Sequence, residues 1–165
     1  MIKIYRTHDE PLELNVDTLK GAKLHRANFH RCLLNNIDAT EADLSKVDFR
    51  SAEMTDSVFN NVNFNNAQLI MVQANRSLFD GCVFRGSLLL SSDFGNSSFK
   101  YADFTEAVID DVNFSHCDLR GAVLSCEGLE TCCFENAIYD DFTVWRKDFN
   151  PIEFGSIKRN KSNMY

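Results

Sequence analysis

Large apolar residues recur at every fifth position along most of the chain, from Leu24 to Tyr139, with Ala at two of these positions. The residue two places before each of them is Ala, Ser, Cys, Val or Ile in every unit except one, where Glu127 stands. Polar residues, often Asp or Asn, fill most of the other positions. Written in fives from residue 22 to residue 141, the chain contains 24 units without insertion or deletion.

A period of five excludes the two simplest regular structures. Five residues of an α-helix advance by about 500°, so the large side chains would fan around the axis and form no stripe. In a flat strand, an odd spacing would send them alternately to opposite faces. The pattern is satisfied if the backbone turns once in every unit, so that each large side chain points inward and the turns stack. The sequence therefore predicts a solenoid.

The units resemble the pentapeptide-repeat family, whose motif is A-[DN]-L-x-x. The units that match it best are "ANFHR", "ADLSK", "VDFRS", "VNFNN", "ADFTE", "VNFSH" and "CDLRG". The resemblance implies an all-β fold, a right-handed quadrilateral parallel β-helix with four units in each coil. About six coils would then lie between residues 22 and 141.

Residues twenty positions apart should stack in adjacent coils of such a helix, which arranges the inward residues in four rows. One row contains Phe64, Phe84 and Phe104, and two other rows also contain runs of three Phe residues. Stacked rings in an apolar core explain why the chain has 14 Phe residues.

The two ends depart from the pattern and predict three segments: an N-terminal cap or strand (1–21), the β-helix (22–141) and a C-terminal capping segment (142–165). The last segment also resembles a tail of cyanobacterial pentapeptide-repeat proteins, with Arg146 where that tail has Pro. A dimer interface at this end of the rod is the alternative, so either a monomer or a dimer is expected. The apolar residues expected to lie across the last coil are Phe142, Trp145, Phe149, Ile152 and Phe154.

Composition argues against several classes of function. The net charge of −7 does not suit direct binding to nucleic acid. No stretch approaches the roughly 20 apolar residues of a membrane span. The charged start of the chain lacks the features of a signal peptide, so we expect a cytoplasmic protein.

The titratable residues give no strong indication of chemistry. Most Cys residues occupy the small first position of a unit and suit core packing, whereas Cys126 and Cys133 are expected to point outward. We predict no catalytic residue, no metal site and no cofactor, and hence a protein that is not an enzyme.

Acidic residues concentrate in the repeats, where residues 37–141 contain 18 acidic and 6 basic residues. Asp110, Asp111 and Glu130 are expected to form an acidic surface. The resemblance extends to the Qnr proteins, which protect DNA gyrase and are thought to mimic duplex DNA. One hypothesis is therefore an acidic DNA mimic that binds or modulates gyrase or another topoisomerase. Solubility alone is the simpler explanation of the charge.

Several outward positions carry apolar residues that the repeat does not require. Residues twenty apart should stack, which pairs Ile70 with Leu90 and Leu88 with Val108. With Met71 they form a candidate binding patch for an unknown protein partner. Scattered surface aliphatics, which are common, are the alternative. We interpret the chain as a non-enzymatic interaction scaffold.

Overall fold

The computed structural model describes residues 1–160, which form a parallel β-solenoid. Backbone bridges join residues twenty positions apart, from Lys23 and Asp43 to Asp118 and Ile138. A residue with positive φ recurs every fifth position through most of the repeats and marks a corner. Four sides therefore make one coil, and the predicted solenoid is confirmed. Residues 1–160 contain short strands and 3₁₀-helices but no α-helix.

The named elements are short because most of the coil contacts are single bridges. The strands are β1 (Ile2–Ile4), β2 (Leu12–Leu14), β3 (Gln68–Ile70), β4 (Leu88–Leu90), β5 (Val108–Asp110), β6 (Val123–Leu124), β7 (Ile138–Tyr139), β8 (Val144–Trp145) and β9 (Ile157–Lys158). Two 3₁₀-helices cover Leu129–Thr131 and Pro151–Phe154.

Most units repeat the same backbone hydrogen bonds. The third-position N–H donates to the second-position carbonyl of the next coil, as from Leu44 to Asn63 at 2.9 Å. The second-position N–H donates to the first-position carbonyl of the previous coil, as from Asp43 to Ala22 at 2.9 Å. The first-position N–H closes the corner within the chain, as from Val47 to Leu44 at 3.3 Å. Stacking thus satisfies backbone groups that a single coil would leave unpaired.

Asp and Asn are frequent at the second position because their side chains accept a hydrogen bond from the backbone two residues later. The Ser45 N–H donates to Asp43 Oδ1 at 3.1 Å, and the Gly95 N–H donates to Asp93 Oδ1 at 2.9 Å. This Asx turn supplies the fourth-position N–H with a partner just before the corner. The polar residue at the second position is thus explained by a backbone N–H that it satisfies.

Aromatic rings fill the core in rows along the solenoid axis. The ring centroids of Phe64 and Phe84 are 4.9 Å apart, and those of Phe84 and Phe104 are 4.7 Å apart. Phe79 and Phe99, in the next row, are also 4.9 Å apart. All five side chains are fully buried. The stacking follows from the spacing of coils, which places identical side chains face to face.

Small polar residues are tolerated at buried first positions because they join neighbouring coils. The Ser77 hydroxyl donates to the Met54 carbonyl at 2.7 Å and accepts a hydrogen bond from the Ser57 N–H at 3.0 Å. Ser57 and Ser97 make the same kind of contact with their own neighbours. The hydrogen bonds of these buried hydroxyl groups therefore compensate for the cost of removing them from water.

The N-terminal residues form an antiparallel hairpin against the first coil. Strands β1 and β2 pair antiparallel. Beyond β1, the Tyr5 carbonyl accepts a hydrogen bond from the Leu33 N–H at 2.8 Å, and the Thr7 N–H donates to the Arg31 carbonyl at 3.0 Å. The hairpin therefore covers part of the open edge of the first coil.

The C-terminal residues follow the solenoid for a further part of a coil. Strand β8 pairs parallel with β6, and β9 pairs parallel with β7. The rings of Trp145 and Phe149 pack on Phe134 with centroids 5.4 Å and 5.7 Å away. Part of the predicted segment 142–165, residues 161–165, lies outside the described residues.

Two of the apolar residues expected to cover the last coil do not do so. Phe142 is 76% exposed and Ile152 is 64% exposed. The Phe142 N–H donates to Asp140 Oδ1 in a turn that directs the side chain to solvent. Ile152 lies in the short helix Pro151–Phe154, where Pro151 is the residue that is buried.

The regular frame also fails at one place. Cys126, which was predicted to point outward, is only 3% exposed. Val108 pairs with Glu127, a separation of nineteen residues where twenty is the rule. A charged Glu127 at the first position would have to be buried, which is costly. The chain slides by one residue, so that Cys126 occupies the buried position and Glu127 faces solvent.

The twenty-residue separation is restored directly after Glu127. Gly128 has φ 86° and precedes the 3₁₀-helix Leu129–Thr131, so this side of the coil contains one extra residue. Leu129 is consequently buried in the usual row. A Cβ at Gly128 would lie 1.6 Å from the Ile109 carbonyl oxygen, so no other residue fits there.

We expect Gly128→Ala to destabilise the protein by more than about 2 kcal/mol, because it adds a backbone clash to the cost of a positive φ. Gly21→Ala is the matched control. Gly21 has φ 66° but open space around its Cβ position, so only the conformational cost of about 1 kcal/mol should appear. Urea denaturation of both variants measures the difference. Equal losses of stability would contradict the clash.

Candidate protein-interaction surface

The predicted patch lies on a three-stranded parallel sheet on one side of the solenoid. Strands β3, β4 and β5 are adjacent in this order. Leu88 pairs with Val108, and Ile70 pairs with Leu90. These registers are those that the twenty-residue period predicts. We call Ile70, Met71, Leu88, Leu90 and Val108 the aliphatic patch.

The side chains of the patch remain accessible to different degrees. Met71 is 54% exposed and Val108 is 37% exposed, whereas Ile70, Leu88 and Leu90 are partly buried. Leu89, between two patch residues, is completely buried in the core. The alternation along β4 thus separates one core leucine from two surface leucines.

The local backbone explains why this side forms the longest strands in the repeats. The second positions of its three units are Gln68, Leu88 and Val108, none of which is Asp or Asn. Units on other sides also lack Asp or Asn at the second position, but there a fourth-position Asn or Asp side chain accepts the fourth-position N–H of the next coil, as Asn60 Oδ1 does from the Asp80 N–H at 3.0 Å. Between β3, β4 and β5 neither kind of side-chain contact is made, and the backbone pairing continues through the fourth position in strands of three residues. The apolar side chains therefore stand on an extended and flat part of the surface.

A closed ion pair borders the patch on its N-terminal side. The Arg50 guanidinium donates to the Asp48 carboxylate at 2.7 Å. This hydrogen bond from the Arg50 side chain holds the pKa of Asp48 below its ordinary value, although partial burial opposes the shift. The charges at this edge are therefore largely compensated.

Acidic residues border the patch on its C-terminal side. Asp110, which pairs with Leu90, and Asp111 at the next corner are both exposed. The third predicted acid, Glu130, forms an ion pair with Arg146. Within residues 1–160, no group of three or more His, Cys, Asp or Glu side chains is arranged to hold a metal ion.

A cleft beside the patch was not predicted from the sequence. It has a volume of about 380 Å³, and its lining residues are Glu106, Val108, Ser125, Cys126, Glu127 and Arg146. Burial raises the pKa of the Cys126 thiol to about 12, so this thiol is protonated and unreactive at neutral pH. The one charged first position, Glu127, followed by Gly128, was the sequence signal for this irregular corner.

Other exposed apolar side chains occur elsewhere on the rod. Tyr101 is 71% exposed at a corner, and Leu78 is 40% exposed on a different side from the patch. Leu78 is bridged to Val58 and Ser98 in the neighbouring coils. Neither neighbourhood combines several stacked aliphatic side chains on a sheet of three paired strands.

Family models match a large part of the repeats. Two models of pentapeptide repeats cover residues 22–61 and 42–81 in one case and residues 79–123 in the other. The chain belongs to the pentapeptide-repeat family. Membership implies a right-handed β-helix, in agreement with the parallel solenoid described above, and neither model describes a catalytic family.

Several solved structures resemble this pentapeptide-repeat protein at low identity. The protein alr5209 from Nostoc Pcc 7120 is 19% identical, with 68% of this chain and 84% of that chain covered and a TM-score of 0.39. Trypsin-treated QnrB1, a plasmid-mediated fluoroquinolone resistance protein, is 17% identical, with 86% and 89% covered and a TM-score of 0.49. Rfr23 from the cyanobacterium Cyanothece 51142 is 19% identical, with 77% and 86% covered and a TM-score of 0.37.

No curated protein matches the chain in sequence. Among the described residues, no helix is long and apolar enough to span a membrane.

We expect the Asp48–Arg50 pair to make the stability of this pentapeptide-repeat protein depend on pH. Because the folded-state pKa of Asp48 is lowered, its contribution is complete above the ordinary pKa of about 3.9. The contribution is lost as the pH falls through the folded-state pKa. Asp48→Asn should therefore reduce the free energy of unfolding at neutral pH by about 1 kcal/mol, and the difference should vanish in acid.

Urea denaturation between neutral pH and about pH 2 measures this effect across the range in which Asp titrates. Asp110→Asn is the matched control, because it removes an exposed carboxylate of the same side that forms no ion pair within residues 1–160. A difference between Asp48→Asn and the natural protein that stays constant down to the lowest pH would contradict the assignment.

Proposed function

We propose that this protein is a non-enzymatic interaction scaffold that binds a partner protein through the aliphatic patch. The observation that carries the proposal is the pairing of Leu88 with Val108 and of Ile70 with Leu90 on one flat sheet. Adjacent pairs create a continuous apolar area, and such areas on otherwise polar surfaces are typical of binding sites. The repeat itself requires none of these apolar residues.

The stacked coils of the rod would provide a rigid support for the aliphatic patch. We infer about six coils between residues 22 and 141, with the N-terminal hairpin and the C-terminal aromatic residues acting as caps. Covered ends prevent association of open edges and leave the sides of the rod for recognition.

The acidic flank of the patch restricts the chemistry of the partner. Asp110 and Asp111 form no ion pair within the described residues, whereas Asp48 on the opposite flank is paired with Arg50. A partner with an apolar surface and basic residues along one edge would be complementary to this arrangement.

We expect Leu90→Asp to weaken partner binding at least tenfold, because a charge at the centre of the patch must be desolvated in the complex. The stability should fall by no more than about 1 kcal/mol. Asp is compatible with this position, since Asp110 occupies the equivalent site in the next coil. Leu90→Gln, which adds no charge beside Asp110, should give a smaller loss of binding.

Leu78→Asp is the matched control, because it introduces the same change at an exposed leucine on another side. Proteins captured from an extract of the native host should be identified by mass spectrometry and then tested as purified proteins. A purified partner must bind the natural protein and Leu78→Asp equally, and Leu90→Asp weakly. Unfolding of Leu90→Asp, or equal binding by both variants, would contradict the proposal.

A second candidate function is mimicry of DNA toward gyrase or another topoisomerase. The excess of 18 acidic over 6 basic residues in residues 37–141 favours it. However, five of the six basic residues form ion pairs with acidic residues of the rod itself, among them Arg76, Arg85 and Arg120. The negative field is therefore concentrated in fewer unpaired acids than the sequence suggests.

A supercoiling assay with purified gyrase, with and without a quinolone, tests this second function. A mimic should inhibit supercoiling or protect the enzyme in a concentration-dependent manner, and added salt should weaken the effect. Absence of any effect at a large molar excess would exclude mimicry toward gyrase and would leave the scaffold proposal intact.

A further inference from the structure

The slide of one residue at Cys126 removes a corner from the solenoid. In the earlier coils, the corner that leads into the patch side is occupied by a residue with positive φ, most recently Gly86 and Glu106. In the next coil, Ser125 is followed directly by the buried Cys126, which has no positive φ. The space that a corner residue would occupy above Glu106 is left open.

The 380 Å³ cleft beside the patch lies at this missing corner, because Glu106, Ser125 and Cys126 all line it. The buried Cys126, which is 3% exposed, and the more exposed Val108 both line it. Because Val108 also belongs to the aliphatic patch, the cleft opens directly onto that surface. We call the space between Glu106, Ser125, Cys126 and Glu127 the corner notch.

The charges around the corner notch are predominantly negative. Arg146 also lines the cleft, but its guanidinium forms an ion pair with Glu130. Glu106 and Glu127 are exposed and form no ion pair within residues 1–160. Two carboxylates without an ion pair therefore border an open space that is also lined by Val108, Ser125, Cys126 and the paired Arg146.

We propose that the corner notch receives a Lys or Arg side chain of the protein that covers the aliphatic patch. The cationic group would lie between Glu106 and Glu127, and its methylene groups would pack on Val108. The inference rests on the proposed function, because it assigns a second contact to the same partner. The patch supplies apolar burial, and the notch supplies the position and orientation of the partner.

A random twelve-residue peptide library, displayed on phage and selected on the full chain, tests this arrangement before the partner has been identified. We expect the selected peptides to share two or more apolar residues and one Lys or Arg at a fixed distance from them. Selection on Glu106→Gln/Glu127→Gln should retain the apolar residues and lose the basic one. Selection on Leu90→Asp should not enrich these peptides.

A synthetic peptide from the first selection allows the contact to be measured. Its affinity for Glu106→Gln/Glu127→Gln should fall at least tenfold, as expected for loss of a charge pair at a partly desolvated site. Replacement of the basic residue of the peptide by norleucine should cause a similar loss, and the two changes together should cause little more. Glu41→Gln/Glu135→Gln changes the net charge equally at exposed positions on other parts of the rod and should bind the peptide normally.

The outcomes separate the notch from the patch. Selected peptides without a fixed basic residue, or unchanged affinity for Glu106→Gln/Glu127→Gln together with a loss for Leu90→Asp, would overturn the notch and leave the proposed function standing. A library that yields no peptide dependent on Leu90 would count against both. An equal loss in the Glu41→Gln/Glu135→Gln control would indicate a general effect of charge and would also overturn the notch.

Discussion

The hydrogen bonds between successive coils determine nearly every other property of this protein. Because each third-position N–H reaches the next coil at a fixed separation, the spatial neighbours of a residue are found by moving about twenty positions along the chain. Chemistry that repeats at this separation becomes continuous in space. The same constraint stacks Phe64 on Phe84 inside the rod and Leu88 beside Val108 on its surface.

Many polar side chains of the repeats form hydrogen bonds with backbone groups that would otherwise have no partner. Asp and Asn satisfy an N–H before the corner, and Ser at a buried first position joins two coils through its hydroxyl. Where the second position carries Leu88 or Val108, the strand extends further and the Asx turn is absent. The side that carries the aliphatic patch is thus also the side with the longest strands in the repeats.

Much of this arrangement could be predicted from the sequence, because inward and outward positions depend only on the place of a residue within its unit. Leu89 was correctly separated from Leu88 and Leu90 on this basis. The stacked pairs of the aliphatic patch were predictable for the same reason. Cys126 was not, because the number of residues in the repeats is unchanged there, and the one irregular residue, Glu127, does not by itself show in which direction the chain moves. Its placement depends on the free energy of burying Glu127, which periodicity does not measure. The exposure of Phe142 and Ile152 was likewise decided by turn geometry at the end of the rod, where apolar character alone does not specify direction.

The irregular corner has a consequence for how such a sequence can change. The loss of one corner residue before Cys126 and the extra residue at Gly128 cancel within a single side of a coil. Either change alone would displace every later residue by one place, moving Cys132, Phe134 and Ala137 out of the core. Together the two changes leave the five-residue register of all later units unchanged. The notch therefore requires both changes together. It adds a surface feature to the rod while the units before and after it keep the same five-residue register.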